Sequence, residues 1–120
     1  MDSRPKTIFC DIDGTLLCHM GNLSDIIAYD KDSEPTKGAA AKLNEWDYKG
    51  YKIILVTGRP EPMRELTMQQ LQRAGIVYHQ LIMDVGGGCR VLINDTKPTT
   101  NETAVAITVK RDKGISDIEI

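Results

Sequence analysis

The run Thr7-Ile8-Phe9-Cys10-Asp11-Ile12-Asp13-Gly14-Thr15 constrains this chain more than any other stretch. An apolar strand leads directly into two carboxylates one residue apart, and strand alternation sends Asp11 and Asp13 to the same side. Like charges at that distance repel, and burial raises the cost. Such a pair is tolerated where a cation sits between the carboxylates or where one of them carries chemistry. An Asx-rich turn closing the strand, with Gly14 supplying a positive φ, fits the same residues. The rest of the chain has to decide.

The elements that follow alternate. Thr7 to Ile12 is a continuous apolar run of the kind buried on both faces of a parallel sheet. Leu16 to Ser33 keeps no clear period. Leu16 to Met20 reads as a short arm, Gly21-Asn22 as a turn and Ile26 to Tyr29 as a returning arm, together a small flap over about residues 16–34. Thr36 is the expected N-cap of a helix through about Tyr48, with Ala39, Ala40, Leu43, Trp46 and Asp47 on one side and Gly50 as its stop. Tyr51 to Thr57 is the second strand, ended by Gly58-Arg59-Pro60. A second helix starts near Pro62, with Met63, Leu66, Thr67, Gln70, Leu71 and Ala74 sharing a face and Gly75 terminating it. Tyr78 to Met83, Arg90 to Asn94 and Thr103 to Val109 are expected as strands three to five, linked after the third by Gly86-Gly87-Gly88. The stretch after Arg111 reads as polar and peripheral.

This order predicts an α/β fold, a Rossmann-like three-layer sandwich on a mostly parallel five-stranded sheet, with a flap after strand one and no cap domain. In such sheets ligands bind beyond the carboxyl ends of the strands. Asp11, Thr57 and Asp95 each stand where an apolar strand is expected to end, so all three can face one crevice.

Composition narrows the classes. A chain of 120 residues is expected to form one domain. The formal net charge of −2 lacks the basic footprint of a nucleic-acid binder. No apolar run approaches the ~20 residues that span a bilayer, and Met1 to Lys6 lacks the apolar core of a signal peptide. The expected location is cytoplasmic, away from membranes. Cys10, Cys18 and Cys89 are scattered and odd in number, so they suggest neither a disulfide framework nor a zinc site. Cys10 reads as a small core residue, Trp46 as core or interface, and His19 as an exposed loop residue.

Asp11-Ile12-Asp13-Gly14-Thr15, Thr57-Gly58-Arg59 and Asn94-Asp95, in that order at expected strand ends, resemble the haloacid dehalogenase-like hydrolases. The stretches Lys42 to Arg59 and Tyr78 to Met83 look most like the small capless phosphatase-like members. The resemblance implies a magnesium-dependent phosphomonoester hydrolase acting through an aspartyl-phosphate. Asp11 would be the nucleophile and Asp13 the acid and base, a covalent route that splits a hard displacement into two easier ones. The implied metal ligands are the Asp11 side chain, the Asp13 backbone carbonyl and Asp95, with Asn94 orienting a ligand water. Thr57 and Gly58 would bind phosphoryl oxygens.

One family feature is missing. Relatives place a lysine after the third strand, and this chain has Asp84-Val85-Gly86-Gly87-Gly88-Cys89 there. Arg90 and Lys97 are the candidate replacements, Arg90 being able to hold a phosphate bidentately. Arg59 is a candidate for support or a solvated surface residue. The expected substrate is a phosphorylated sugar or similar small metabolite, with a homo-oligomer, dimer or tetramer, walling an uncapped crevice. The alternative, motivated by the missing lysine and by Asn94, is a catalytically weak relative that binds a phosphorylated ligand or a protein partner. A phospho-acceptor receiver domain is disfavoured, because its acceptor aspartate would follow the third strand.

Overall fold

A computed structural model describes residues 4–19 and 33–120. Its elements are β1 (Thr7–Asp11), α1 (Ala39–Tyr48), β2 (Lys52–Val56), α2 (Arg64–Arg73, entered through a 3-10 turn at Glu61–Met63) and β3 (Gln80–Ile82). The strands form one parallel sheet in the order β1-β2-β3. Phe9 pairs with Ile54 and Asp11 with Val56, which sets the ends of β1 and β2 level. The alternation of strand and helix is that of a Rossmann-like α/β unit.

Burial follows the pattern of the apolar residues. β2 lies between its neighbours and fully buries Ile53 and Leu55. Helix α1 turns Ala39, Leu43 and Trp46 inward, and α2 turns Thr67, Gln70 and Leu71. Both helices end on a left-handed glycine, Gly50 at φ 84° and Gly75 at φ 72°. At each end the next amide reaches back into the last turn: Tyr51 donates to the Trp46 carbonyl and Ile76 to that of Leu71, both at 3.0 Å. These bonds satisfy carbonyls that a helix end leaves open.

Several expectations need correction. The five-stranded sheet is replaced, among the described residues, by three strands. Arg90 to Asn94 and Thr103 to Val109 form no ladder, and Val91, Leu92 and Ile93 are 78%, 58% and 89% exposed. An apolar run becomes a strand only when it finds an edge to pair with. Here the segment closes on itself instead: Lys97 and Thr100 form an antiparallel bridge, and the Asn94 amide donates to the Thr103 carbonyl at 2.9 Å. Among the described residues β1 therefore pairs on one edge only, and Phe9 is 53% exposed rather than buried on both faces.

Helix α1 starts later than expected, at Ala39 behind a left-handed Gly38, with no side-chain cap. Thr36, the expected cap, instead donates its hydroxyl to the Thr15 carbonyl at 2.6 Å. The stretch after Arg111 is not peripheral. Ile115 is 2% exposed and donates its amide to the Lys37 carbonyl. Gly114 lies so close to Lys37 that an added Cβ would stand 2.2 Å from its carbonyl oxygen. An apolar residue flanked by glycine can be drawn into a core that its polar neighbours conceal.

Of the flap, residues 20–32, including the expected arm Ile26 to Tyr29, lie outside the described residues. Its base is described. Leu17 bridges Pro35, the Cys18 amide donates to the Glu34 carbonyl at 2.7 Å, and Leu16 and Leu17 are fully buried. No helix among the described residues is long and apolar enough to cross a membrane.

Candidate active site

The end of β1 is folded by its own backbone. The amides of Thr15, Leu16 and Leu17 all donate to the Ile12 carbonyl, at 3.1, 2.9 and 3.0 Å, and Gly14 turns the chain at φ 89°. A side chain at Gly14 would be strained by that φ and would press on Arg111, whose Cγ lies 3.2 Å from an added Cβ. The turn leaves Asp11 and Asp13 on either side of the buried Ile12. The two acids then meet different partners.

Asp11 accepts from Arg90 Nη1 at 2.8 Å through Oδ1 and from the Thr15 hydroxyl at 3.3 Å through Oδ2. Its side chain is 33% exposed and that of Arg90 39%. Asp13 is gripped harder. Arg59 Nε donates to Oδ2 at 2.9 Å and Nη2 to Oδ1 at 2.8 Å, a bidentate pair in which the arginine side chain is 0% exposed. Arg59 is thus buried and paired, not a solvated surface residue. Its remaining Nη1 donates to Thr67 Oγ1 at 3.0 Å and to Gln70 Oε1 at 2.7 Å.

Thr57 follows β2 and is 1% exposed. Its Oγ1 accepts from the Arg59 amide at 3.1 Å, which leaves the hydroxyl hydrogen to donate elsewhere. The Thr57-Gly58-Arg59 turn is laced to the chain after β3: the Val85 amide donates to the Thr57 carbonyl and Asp84 to that of Arg59, both at 2.9 Å. Asp84, in a left-handed conformation at φ 61°, accepts from the Glu61 amide at 3.0 Å. Gly58 eases this approach, because a Cβ there would stand 3.1 Å from the Val85 carbonyl oxygen, a tight contact.

The structure does not bring Asp95 to this pair. Its side chain is 73% exposed and accepts from Lys97 Nζ at 2.6 Å, and that bond holds its carboxyl below the usual range. Asn94 accepts from the Asp95 amide at 3.0 Å. No three His, Cys, Asp or Glu side chains gather among the described residues as a metal site would require. The donors expected for magnesium are therefore only partly assembled. Lys97 is likewise committed to Asp95, so of the two candidate cations only Arg90 stands at the acid pair.

Cys10, immediately before Asp11, is buried, and burial together with the Asp11 charge pushes its thiol up to about 12. It is a core thiol without nucleophilic character at neutral pH. His79 has a structural role: Nδ1 accepts from the Ile53 amide at 2.9 Å while Nε2 faces Asp47 at 3.3 Å, extending the β2–β3 pairing by one residue. Sequence spacing places Thr67 and Gln70 on a helix face and says nothing more of them. The signal that could have found them is a pair of hydrogen-bonding residues inside an otherwise inward-facing apolar stripe, which calls for a buried partner.

A family model described as "PITM 1-3, LNS2 domain" matches residues 8–104, a span that includes the acid pair, the Thr57 turn and Asp95. The chain belongs to the LNS2 domain family. Its fold is accordingly of the haloacid dehalogenase-like phosphatase type, as the motifs suggested. This LNS2 chain is 35% identical over 97 residues to acid phosphatase 1 of Solanum lycopersicum, an alignment covering 68% of the chain and 38% of that protein. It spans well under half of that relative. A chain of the Pnkp1/Rnl/Hen1 complex superposes with a TM-score of 0.59 at 32% identity, over 74% of this chain and 31% of the other. A Vibrio cholerae structural-genomics target superposes with a TM-score of 0.52 at 21% identity, over 78% and 85% of the two chains, and shares the fold.

Proposed function

We propose that this chain is a phosphomonoester hydrolase in which Asp11 forms an aspartyl-phosphate. The observation that carries the reading is the pairing of a solvent-reachable carboxylate, Asp11, with a part-exposed cation, Arg90, beside a second acid fixed by a buried arginine. In the first step an Asp11 oxygen attacks phosphorus, the ester P–O bond breaks, and Asp13 gives its proton to the departing alkoxide. In the second, water attacks phosphorus, Asp13 takes the water's proton, and the Asp11–phosphorus bond breaks to release phosphate.

Arg90 would exchange its contact with Asp11 for one with the phosphoryl group, where a guanidinium matches two oxygens. The Thr57 hydroxyl and Gly58 amide would bind the others. Magnesium belongs to the proposal as cofactor, with the Asp11 carboxylate, the Asp13 carbonyl and Asp95 as its holders, and would supply charge neutralisation at the phosphoryl group. Because Asp95 lies apart from the pair, neither step above is assigned to the ion. The likeness to a protein named acid phosphatase 1 supports the reaction class. A phosphorylated sugar or similar small metabolite, taken into an uncapped site by a homo-oligomer, is the substrate class we favour.

The test is a magnesium-supplemented screen across phosphate esters. Hydrolysis of at least one ester, lost on chelation, supports the reading, and no release of phosphate from any of them removes it. A second reading has its own observation. Both acids are neutralised by arginines and Asp95 stands elsewhere, an arrangement suited to binding a phosphorylated ligand without turning it over. Calorimetry showing binding with no phosphate release would favour that binding module.

A further inference from the structure

The least expected feature of the core is that helix α2 buries a threonine and a glutamine against an arginine. Thr67 is 0% and Gln70 2% exposed, between the buried Met63 and Leu71. They stand three residues apart, neighbours on one face of the helix. Both accept from the same nitrogen, Nη1 of Arg59. The opposite edge of that guanidinium, Nε and Nη2, holds the two oxygens of Asp13.

A guanidinium is rigid and planar. Two acceptors on one nitrogen fix the plane, and the plane fixes where the far edge points. Removing those acceptors would leave a buried donor unsatisfied, a cost the side chain would relieve by rotating away from Asp13.

We propose that Thr67 and Gln70 are positioning residues for the second acid. Through Arg59 they set the direction in which Asp13 presents its carboxylate, so that α2 governs the proton-transfer group from the far side of the guanidinium. The catalytic part of this inference rests on Asp13 being the proton donor, whereas the positional part does not.

The experiment compares Thr67→Val, Gln70→Leu and the double variant with Thr67→Ser, in full-length protein. Two quantities are read: kcat and KM for an aryl phosphate with magnesium, and the exchange protection of the Arg59 Nε–H by nitrogen-15 NMR. The double variant should lose about 100-fold in kcat, as expected for a misdirected reacting group, with KM within about twofold. Thr67→Ser should behave as wild type. Protection of the Nε–H should fall at least about tenfold in the double variant, because its bond to Asp13 is no longer enforced. Unchanged kcat in an active protein, or a rise in KM alone, overturns the catalytic role. Unchanged protection overturns the positioning itself. If wild-type protein hydrolyses no phosphate ester, the functional reading fails alone and the NMR result still decides the positioning. Should the double variant fail to fold, Gln70→Leu alone carries both readouts.

Discussion

Asp13 and Asp95 each pair with a basic side chain, and the two pairs differ in nearly every physical respect. Arg59 arrives from 46 residues away, is fully buried, and has both edges of its guanidinium engaged. Lys97 comes from two residues away, and the pair it makes with Asp95 lies on an exposed segment, 35% and 73% open to solvent. A pair between near neighbours can form whether or not the fold does, and exposed pairs contribute little. A pair whose partner is delivered by a distant, packed element exists only in the folded chain. The direction of Asp13 is thus a property of the core, while that of Asp95 is local.

The sharpest way to break this contrast is Arg59→Met. It leaves Asp13, Thr67 and Gln70 without their common donor and should destabilise the fold by about 3–5 kcal/mol. A urea melt measures this, and adding Asp13→Asn should recover part of the loss. A loss no larger than that of an exposed pair would place Asp13 in the same class as Asp95.

A smaller effect concerns Cys10, which shares β1 with Asp11. Its folded pKa, raised to about 12 from 9.0, lies above the unfolded value. The contribution to stability is therefore complete below pH 9 and is lost as pH rises from 9 towards 12. Between those limits the wild type should lose about 1.4 kcal/mol per pH unit more than Cys10→Ala, read from urea melts at pH 8.5 and 10. Parallel pH dependence would mean that the thiol ionises in the folded protein.

The smallest effect is predicted at Lys97. Lys97→Ala should leave the urea midpoint unchanged, while the Asp95 carboxyl, held down chiefly by the Lys97 hydrogen bond, returns towards its ordinary value in an NMR titration. Because its folded value is depressed, whatever the pair contributes is present above the unfolded pKa and fades as pH falls through the folded one. A clear shift in the midpoint would show that the Asn94–Thr103 segment is tied to the core.

Local signals in the sequence carried the parts of the fold that depend on local physics. Gly50 and Gly75 end helices because only glycine enters the left-handed region cheaply. The apolar faces of α1 and α2 followed from helical spacing. What failed to read through was pairing at a distance. Arg90 to Asn94 has the composition of a strand but lies exposed and pairs with no strand among the described residues, and Ile115 sits among polar neighbours that hide its contact with Lys37. The site divides the same way. Asp11 and Asp13 were legible as candidates, because two acids one residue apart at the end of an apolar strand stand out, although a turn fitted the same residues. The burial of Arg59 was not, because a charged residue in a turn gives no sign that a helix eight to eleven residues later will enclose it.

The central claim is that Asp11 is the group that takes the phosphoryl. Its most direct test is the rate of phosphate release from an aryl phosphate with magnesium, for wild type and Asp11→Asn, after showing that both melt alike. The variant keeps the size and a hydrogen-bonding oxygen of the side chain but removes the attacking carboxylate. Turnover by the wild type and none above background by the variant is the predicted result. Equal rates in the two proteins would contradict it.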